Sequence, residues 1–471
     1  MNRCYRSLYN ATLGTWVAAP ETAKAHGKAG KNPAVVAAVA IAAALAAAPA
    51  LALDGNALPT GGQVSAGSGN LASSGNTLTV TQTSGKLAVD WQSFNVGQAA
   101  TVNFVQPSAS AIALNRIVGS DPSQIYGRLN ANGQVFLLNP NGVLFGKGAE
   151  VNVGGLVATT LSLANADFLA GNYRFTGTAG RVVNQGSITA ADHGYIALLG
   201  GQVSNQGTLV AKLGNVSLAA GRDITLDFAG DGLINLQVNQ GAVNALAENQ
   251  QLIRADGGTV LMTAKAADSL IQAVVNNEGV IEARGIDTRG GTIKLLADMD
   301  NGTVQVGGTL DALAQGGQGG FIETSGQTLA VRPGAQVVVG TGGKWLIDPT
   351  DLTIDAATAG TIATALAADG STVEQQASHD ITVASPVAWT STGTLTLNAG
   401  NNIAINADIN ASRGTLKLYY GGGYYLNNGA QVTLSAGSHF YTKLGSNAES
   451  AWTVITALGN PGSTTGTDLQ G

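Results

Sequence analysis

The sequence predicts an all-β chain wound as a right-handed parallel β-helix, with an N-terminal β cap and short extra-helical elements. Three observations point there. The 471 residues include 65 Gly but only 11% charged and 5% aromatic residues, against about 7% Gly and about 25% charged in an average chain. Short β-branched runs alternate apolar and polar positions between Gly- and Asn-rich turns, the pattern of strands with one buried face. A unit of the form N-x-G-x-I/L-x-A, a glycine turn, then G-x-I/V-x-L recurs along the chain.

The repeat is explicit in four places. Asn184-Gln-Gly186-Ser-Ile188-Thr-Ala190 leads to Gly194-Tyr-Ile196-Ala-Leu198, and Asn205-Gln-Gly207-Thr-Leu209-Val-Ala211 leads to Gly214-Asn-Val216-Ser-Leu218. Asn277-Glu-Gly279-Val-Ile281-Glu-Ala283 resumes at Gly291-Thr-Ile293-Lys-Leu295, and Gly308-Thr-Leu310-Asp-Ala312 is followed by Phe321-Ile322. Gly393-Thr-Leu395-Thr-Leu397 and Gly414-Thr-Leu416-Lys-Leu418 repeat further on. A period near twenty residues suits one rung of a solenoid. A single rung cannot bury its apolar face alone, so stacked neighbours supply the core and a cap must close the end. The recurring Asn is expected to tolerate left-handed backbone angles and to hydrogen-bond the next rung.

The elements follow in order. Residues 33–53, PAVVAAVAIAAALAAAPALAL, form an uncharged Ala-rich run behind Lys24, Lys28 and Lys31. It ends in Ala50-Leu51-Ala52, the small-x-small pattern of a cleaved export signal, which places cleavage after Ala52. A bilayer span is the competing reading; the weak hydrophobicity of Ala and the cleavage pattern favour removal, leaving no transmembrane anchor in the mature chain. Residues 53–133, with modest strands at 78–82, 87–89 and 101–105, are expected to cap the first rung and cover its unpaired edges. Residues 357–369 are expected to form a short helix, with Ile362 and Leu366 on one face, docked outside the solenoid.

Cys4 lies within the removed segment, so the mature chain is cysteine-free and rests on packing rather than disulfides. Residues 1–52 hold five Lys or Arg and one Glu, so residues 53–471 carry 18 basic and 28 acidic groups, net −10. That balance argues against nucleic acid or anionic lipid as an electrostatic partner.

At Asn139-Pro140-Asn141-Gly142 two apolar runs, Val135–Leu138 and Val143–Phe145, meet at a corner. Asn before Pro is pushed towards extended geometry. Pro140 fixes the first turn angle, and Asn141-Gly142 supply the permissive positions after it.

The segment around this corner contains WQSFNVG, then ALNRIVGSDPSQIYGRLNANGQVFLLNPNGVLFGKGAEVNVGGLVATT. It resembles the N-terminal secretion domain of filamentous haemagglutinin-like exoproteins of two-partner secretion. The family's Asn-Pro-Asn-Gly motif falls on Asn139, Pro140, Asn141 and Gly142. Its aromatic-x-x-Phe-x-Val element falls on Trp91, Phe94 and Val96, and Asn115-Arg116-Ile117 and Gly133-Gln134-Val135-Phe136 also match. A second Asn-Pro-Asn motif present in some members is missing here. The 32 residues before the Ala-rich run resemble the extended signal peptides of large Gram-negative exoproteins through Met1-Asn2-Arg3, Tyr5-Arg6, Asn10, Trp16-Val17-Ala18, Glu21 and Gly27-Lys28. Tyr9 and Pro20 depart from that pattern.

The resemblance implies three segments: a signal at 1–52, a secretion domain at 53–300, and continuing repeats at 301–471. It implies export by the Sec machinery and recognition in the periplasm by a dedicated outer-membrane β-barrel transporter with periplasmic polypeptide-binding domains. The chain would cross unfolded and fold outside rung upon rung, secreted or held at the cell surface. An adhesin or haemagglutinin-like role, with a host-cell or bacterial surface receptor, is the expectation. Haem acquisition and contact-dependent growth inhibition are alternatives that use the same N-terminal domain. A stretch like Trp452-Thr-Val454-Ile-Thr normally runs on into more repeats in such proteins, so the expectation is a truncated member.

No enzyme, metal or cofactor is expected from the residues. His193, His379 and His439 are widely separated and lack metal spacing. Asp298-Met-Asp300-Asn301-Gly302 resembles a calcium loop but has Thr309 in place of the bidentate Glu. Gly316-Gly-Gln-Gly319-Gly-Phe321 has Phe at the aspartate position of a calcium nonapeptide. Gly67-Ser-Gly69-Asn-Leu-Ala72 lacks the strand-to-helix setting of a nucleotide site. Gly221-Arg222-Asp223 is the wrong order for an integrin motif. A polysaccharide-active site needs converging carboxylates, and the densest acidic cluster, Asp348, Asp351 and Asp355, reads as a rung edge. Amphipathic strands of about ten residues, as in a membrane barrel, are not read near residue 471, so the expectation is export through a separate transporter.

Overall fold

The structure is a computed structural model that describes residues 5–10, 15–20, 53–178, 180–229, 233–286, 290–314 and 319–456. The cleavage pair Ala50 and Ala52 lies outside the described residues. Two compact units are resolved, 1–52 and 53–471. In the first, Tyr5–Asn10 pairs antiparallel with Thr15–Pro20.

The second unit is a solenoid with three walls. A 16-stranded sheet runs its length, flanked over the N-terminal rungs by sheets of 11 and 8 strands. One rung reads Arg128–Ala131, Gln134–Leu138, Val143–Phe145, one strand for each wall. Its strands pair in parallel with those before and after, for instance Leu137 opposite Asn115 and Ala158. Parallel pairing in register follows from the repeat, because each rung offers the same alternation to its neighbour. The interior is a continuous stack of Val, Leu, Ile and Ala from Leu78 to Leu418.

The cap is shorter than residues 53–133. Only Gln63–Ala66 and Gly69–Ser74 run antiparallel, against Lys86–Trp91 and Thr77–Gln82. From Thr77 onward the strands already pair in parallel with later rungs. Their modest length hid full rungs, with Leu78, Val80, Leu87 and Val89 buried in the common core. The Gly- and Ser-rich strand GNLASS ends the 11-stranded sheet with small polar side chains, a setting that discourages edge pairing.

A second apolar cluster lies on the outer face of the long sheet. Val135 and Leu137 point into the solenoid, whereas Phe136 and Leu138, on the same strand, belong to the outer cluster. An antiparallel flap covers that face, built from Tyr173–Thr176, Asp223–Ala229 and Leu233–Gln240 and joined by the short helix α1, Asn165–Ala170. Burial on both faces explains runs such as YIALLG at 195–200 that show no alternation. Beyond the flap, Thr259–Ala264 reverts to strict alternation.

The recurring asparagines stack inside the walls. The Asn184 amide donates to Asn205 Oδ1, Asn205 to Asn249 and Asn249 to Asn277, each at 2.8 Å, and Asn277 ends the ladder on the Gly307 carbonyl at 2.7 Å. Asn249 is a member that the sequence repeat passed over. None of the four adopts a left-handed backbone. Their shared reason is cross-rung hydrogen bonding of buried amides, not turn geometry.

The predicted helix is α2, Ala356–Ala365, with Asp355 as its N-cap accepting from Thr358 N at 2.8 Å. It does not dock outside. Ile362 and Leu366 are part of the continuous core. The helix contacts Gln336–Val338, the last strand of the 11-stranded sheet, and Val387–Trp389, the first of a new 3-stranded sheet. It therefore occupies a strand's place in that wall, and its apolar stripe fills the interior that a strand would have filled.

Candidate functional site

The Asn139-Pro140-Asn141-Gly142 corner closes a rung between its long-sheet strand and its third-wall strand. Asn139 N–H donates to the Thr159 carbonyl at 2.9 Å, extending the ladder one residue past the strand. Its carbonyl accepts from Gly142 N–H at 3.1 Å, which makes the four residues a β-turn with Pro140 in the favoured second place. Of the four, only Gly142 has a positive φ, at 127°. Asn141, expected to share that permissive geometry, does not adopt it; its side chain bonds Gly119 O and Asn139 Oδ1 instead.

The two asparagines differ sharply in setting. Asn139 is fully buried, whereas Pro140 and Asn141 are exposed. The Asn139 Nδ2 group donates to the Asp121 carbonyl at 2.9 Å and to Ser123 Oγ at 3.0 Å. Its Oδ1 accepts from Asn141 N–H at 3.0 Å and Asn141 Nδ2 at 3.2 Å. Asn141 Nδ2 also donates to the Gly119 carbonyl at 2.9 Å. The corner is thus fastened to the preceding rung through residues 119–123 and to the following rung through Thr159.

Two rungs earlier, Trp91 closes the strand Lys86–Trp91. Its indole N–H donates to Asn115 Oδ1 at 3.0 Å, while Asn115 Nδ2 donates to the carbonyls of Ala113 at 3.1 Å and Phe136 at 3.4 Å. Phe94 meets Trp91 edge to face, 5.5 Å between ring centres. Val96 is fully buried and bridges to Ile125. All four lie in the interior, and Phe136 sits on the very strand that enters the corner. Trp91, Phe94, Val96 and Asn115 therefore form a buried group that reaches the strand entering the corner, where Asn139 is buried and Pro140 and Asn141 are exposed.

Two cations, Lys86 and Arg116, anchor the flap helix to the first rungs. Lys86 Nζ donates to the carbonyls of Phe168 at 2.8 Å and Leu169 at 3.0 Å, near the C-terminus of α1, and lies over the Phe168 and Tyr173 rings. Burial lowers its pKa. Arg116 bonds Asp90 at 2.9 Å, and the Leu163 carbonyl and Asn165 Oδ1 at 2.7 Å each. In the sequence each is the single cation of a mainly apolar strand, KLAVDW and IALNRI.

The acidic cluster disperses. Asp355 caps α2, Asp351 lies 3.8 Å from His379, and Asp348 faces Glu323 and Glu374 on the long sheet. Burial, chiefly, and those two carboxylates raise the Asp348 pKa. Among the described residues no group of three or more His, Cys, Asp or Glu could hold a metal ion. Asp298 spends its carboxylate on Asp300 N–H at 3.0 Å, a local turn.

A capped solenoid whose first rungs are locked by a buried motif network, behind an N-terminal export signal, defines a secreted β-solenoid exoprotein. The chain belongs to the TPS secretion domain family, whose pattern matches residues 55–312, and residues 1–51 match the extended signal peptide of type V secretion systems. It is an exoprotein of two-partner secretion, exported across the inner membrane and passing through the periplasm to the cell surface. The TPS domain implies a cognate outer-membrane transporter, and the family is a secretion domain rather than an enzyme family.

Two curated relatives are heme/hemopexin-binding proteins of Haemophilus influenzae. One, from strain Rd, is 36% identical over 252 residues, which cover 51% of this chain and 27% of the relative. The other is 34% identical over 246 residues, 47% of this chain and 26% of the relative. The match spans only about a quarter of either relative. Among solved structures, the HMW1 secretion domain of Haemophilus influenzae is similar with a TM-score of 0.60 at 25% identity, covering 80% of this chain and all of that one.

Proposed function

We propose that Trp91, Phe94, Val96, Asn115 and the Asn139-Pro140-Asn141-Gly142 corner are read by the transporter's periplasmic polypeptide-binding domains before they fold, and that the same residues then lock the first rungs outside the cell. The observation that carries this reading is burial: Trp91, Phe94, Val96, Asn115 and Asn139 are all inside the folded solenoid. A partner can reach them only on an unfolded chain. Folding then proceeds rung by rung from the capped end, since contacts run mainly between neighbouring rungs.

The test is co-expression with the cognate transporter, comparing supernatant levels of wild type, Asn139→Ala and Ser123→Ala. Ser123→Ala removes a folded-state partner of Asn139 at 3.0 Å without altering the motif. Loss of secretion for Asn139→Ala with normal secretion of an equally destabilised Ser123→Ala chain supports reading of the unfolded segment. Parallel loss in both would reduce the motif to a folding element.

Downstream of secretion, the exoprotein serves as an adhesin or haemagglutinin-like surface protein, its solenoid holding a binding surface away from the membrane. A second reading, haem or haem-carrier capture, is favoured by the names of the two relatives. Cell attachment by the secreted protein, with no absorbance change on adding haem and no retention of hemopexin, selects the first. The converse result selects the second.

A further inference from the structure

The chain contains four Asn-Gly steps, at Asn132-Gly133, Asn141-Gly142, Asn301-Gly302 and Asn428-Gly429. In an unfolded chain all four are prone to the same reaction, because Gly leaves its own N–H open to attack the preceding side chain. The Gly nitrogen loses its proton and attacks Asn Cγ. The side-chain nitrogen leaves as ammonia, a succinimide forms, and water opens it to aspartate or isoaspartate. The reaction needs a free Gly N–H and an Asn side chain free to rotate.

The fold removes those conditions at three of the four. Gly133 N–H donates to Gln106 Oε1 at 2.9 Å, and the Asn132 amide is held on both sides by the Gln106 backbone at 2.7 and 2.8 Å. Gly142 N–H donates to Asn139 O at 3.1 Å, and Asn141 Nδ2 is held by Gly119 and Asn139. Gly302 N–H donates to Asp298 O at 2.6 Å, and Asn301 Nδ2 to Asp268 O at 3.2 Å. Asn428-Gly429 is different. Both residues are exposed, both have positive φ (55° and 76°), and neither the Gly429 N–H nor the Asn428 amide has a hydrogen-bond partner.

We propose that Asn428 is the site at which the folded exoprotein undergoes spontaneous deamidation, while the same chemistry at Asn141, inside the secretion motif, is suppressed by folding. The product at 428 gains one negative charge and, as isoaspartate, one extra backbone methylene. That change falls in the turn between the strands Tyr424–Leu426 and Val432–Leu434, the last strands of two walls. Ageing of the protein outside the cell therefore begins at these outer rungs and spares the N-terminal domain.

The test is peptide mapping by mass spectrometry of the full secreted chain held at mildly alkaline pH, folded and in parallel in strong denaturant. Folded protein should convert at Asn428 at least about tenfold faster than at the other three sites, the factor expected when two local hydrogen bonds must open first. In denaturant the four rates should converge. Equal rates at the four sites in folded protein would overturn the proposal. So would a preference for Asn428 that persists undiminished in denaturant, since local sequence and not the fold would then set it.

Discussion

Asn141 donates both its backbone N–H and its side-chain Nδ2 to a single atom, the Oδ1 of Asn139, at 3.0 and 3.2 Å. One of these asparagines is sealed in the solenoid and the other faces solvent. The exposed member is held in place by the buried one, which in turn is held by two neighbouring rungs.

Substituting the two should therefore have unequal cost. Asn139→Ala strips partners from the Asp121 carbonyl, Ser123 Oγ and Asn141 N–H, and should destabilise the secreted chain by about 2–4 kcal/mol. Asn141→Ala should stay within about 1 kcal/mol, because water can replace its bonds. Urea unfolding of both variants checks this; equal midpoints would refute the division of roles.

Trp91→Phe keeps the ring against Phe94 but removes the donor to Asn115, leaving a buried carbonyl oxygen unpaired. A loss of about 1–3 kcal/mol is expected. In a double-mutant cycle with Asn115→Leu the two effects should be strongly non-additive. Additive losses would mean that the Trp91–Asn115 bond contributes nothing of its own.

Asn205→Ala cuts the amide ladder in the middle, leaving the Asn184 amide only its long bonds to the Gly186 and Thr208 carbonyls at 3.3 and 3.4 Å and orphaning the Asn249 acceptor. Destabilisation should reach about 2–4 kcal/mol, well above that of Gln206→Ala one residue on, whose partly exposed side chain pairs with Gln185 at 3.0 Å. Hydrogen exchange should show lost protection in rungs on both sides of residue 205. Confinement of the loss to one rung would argue that the ladder is not cooperative.

The flap carries a pH dependence. Arg174 binds Asp223 with two nitrogens, and Asn239 donates to the same carboxylate at 2.9 Å. The Arg174 hydrogen bond, chiefly, holds the Asp223 pKa below its usual value, against an opposing effect of burial. A depressed carboxylate contributes stability above its unfolded pKa, about 3.9, and loses it as pH falls through the folded value. Flap amides should stay protected from neutral pH down to about 5 and loosen below about 4. Asp223→Asn should flatten that profile, and a wild-type transition nearer neutrality would point to another group.

Much of this architecture is legible in one dimension. The alternation at Thr259–Ala264 and the recurring Asn, Gly and β-branched positions define strands and rungs, because parallel stacking repeats the same local environment. The flap was not legible. Phe136, Tyr195 and Leu199 look like ordinary core residues, and only their assignment to the outer face reveals a second layer. For α2 the helical period and its apolar face were readable, but its place in the wall depends on where two sheets end.

By itself, the sequence determined the export signal, the strand periodicity and the position of the Asn-Pro-Asn-Gly corner, all carried by residues close together along the chain. Tertiary structure alone decided that Asn139 is buried and Asn141 exposed, that Trp91 meets Asn115 across 24 residues, and that a flap covers the long sheet. Those outcomes depend on which rungs become neighbours, and a two-residue period is the same whichever face of a strand is later covered.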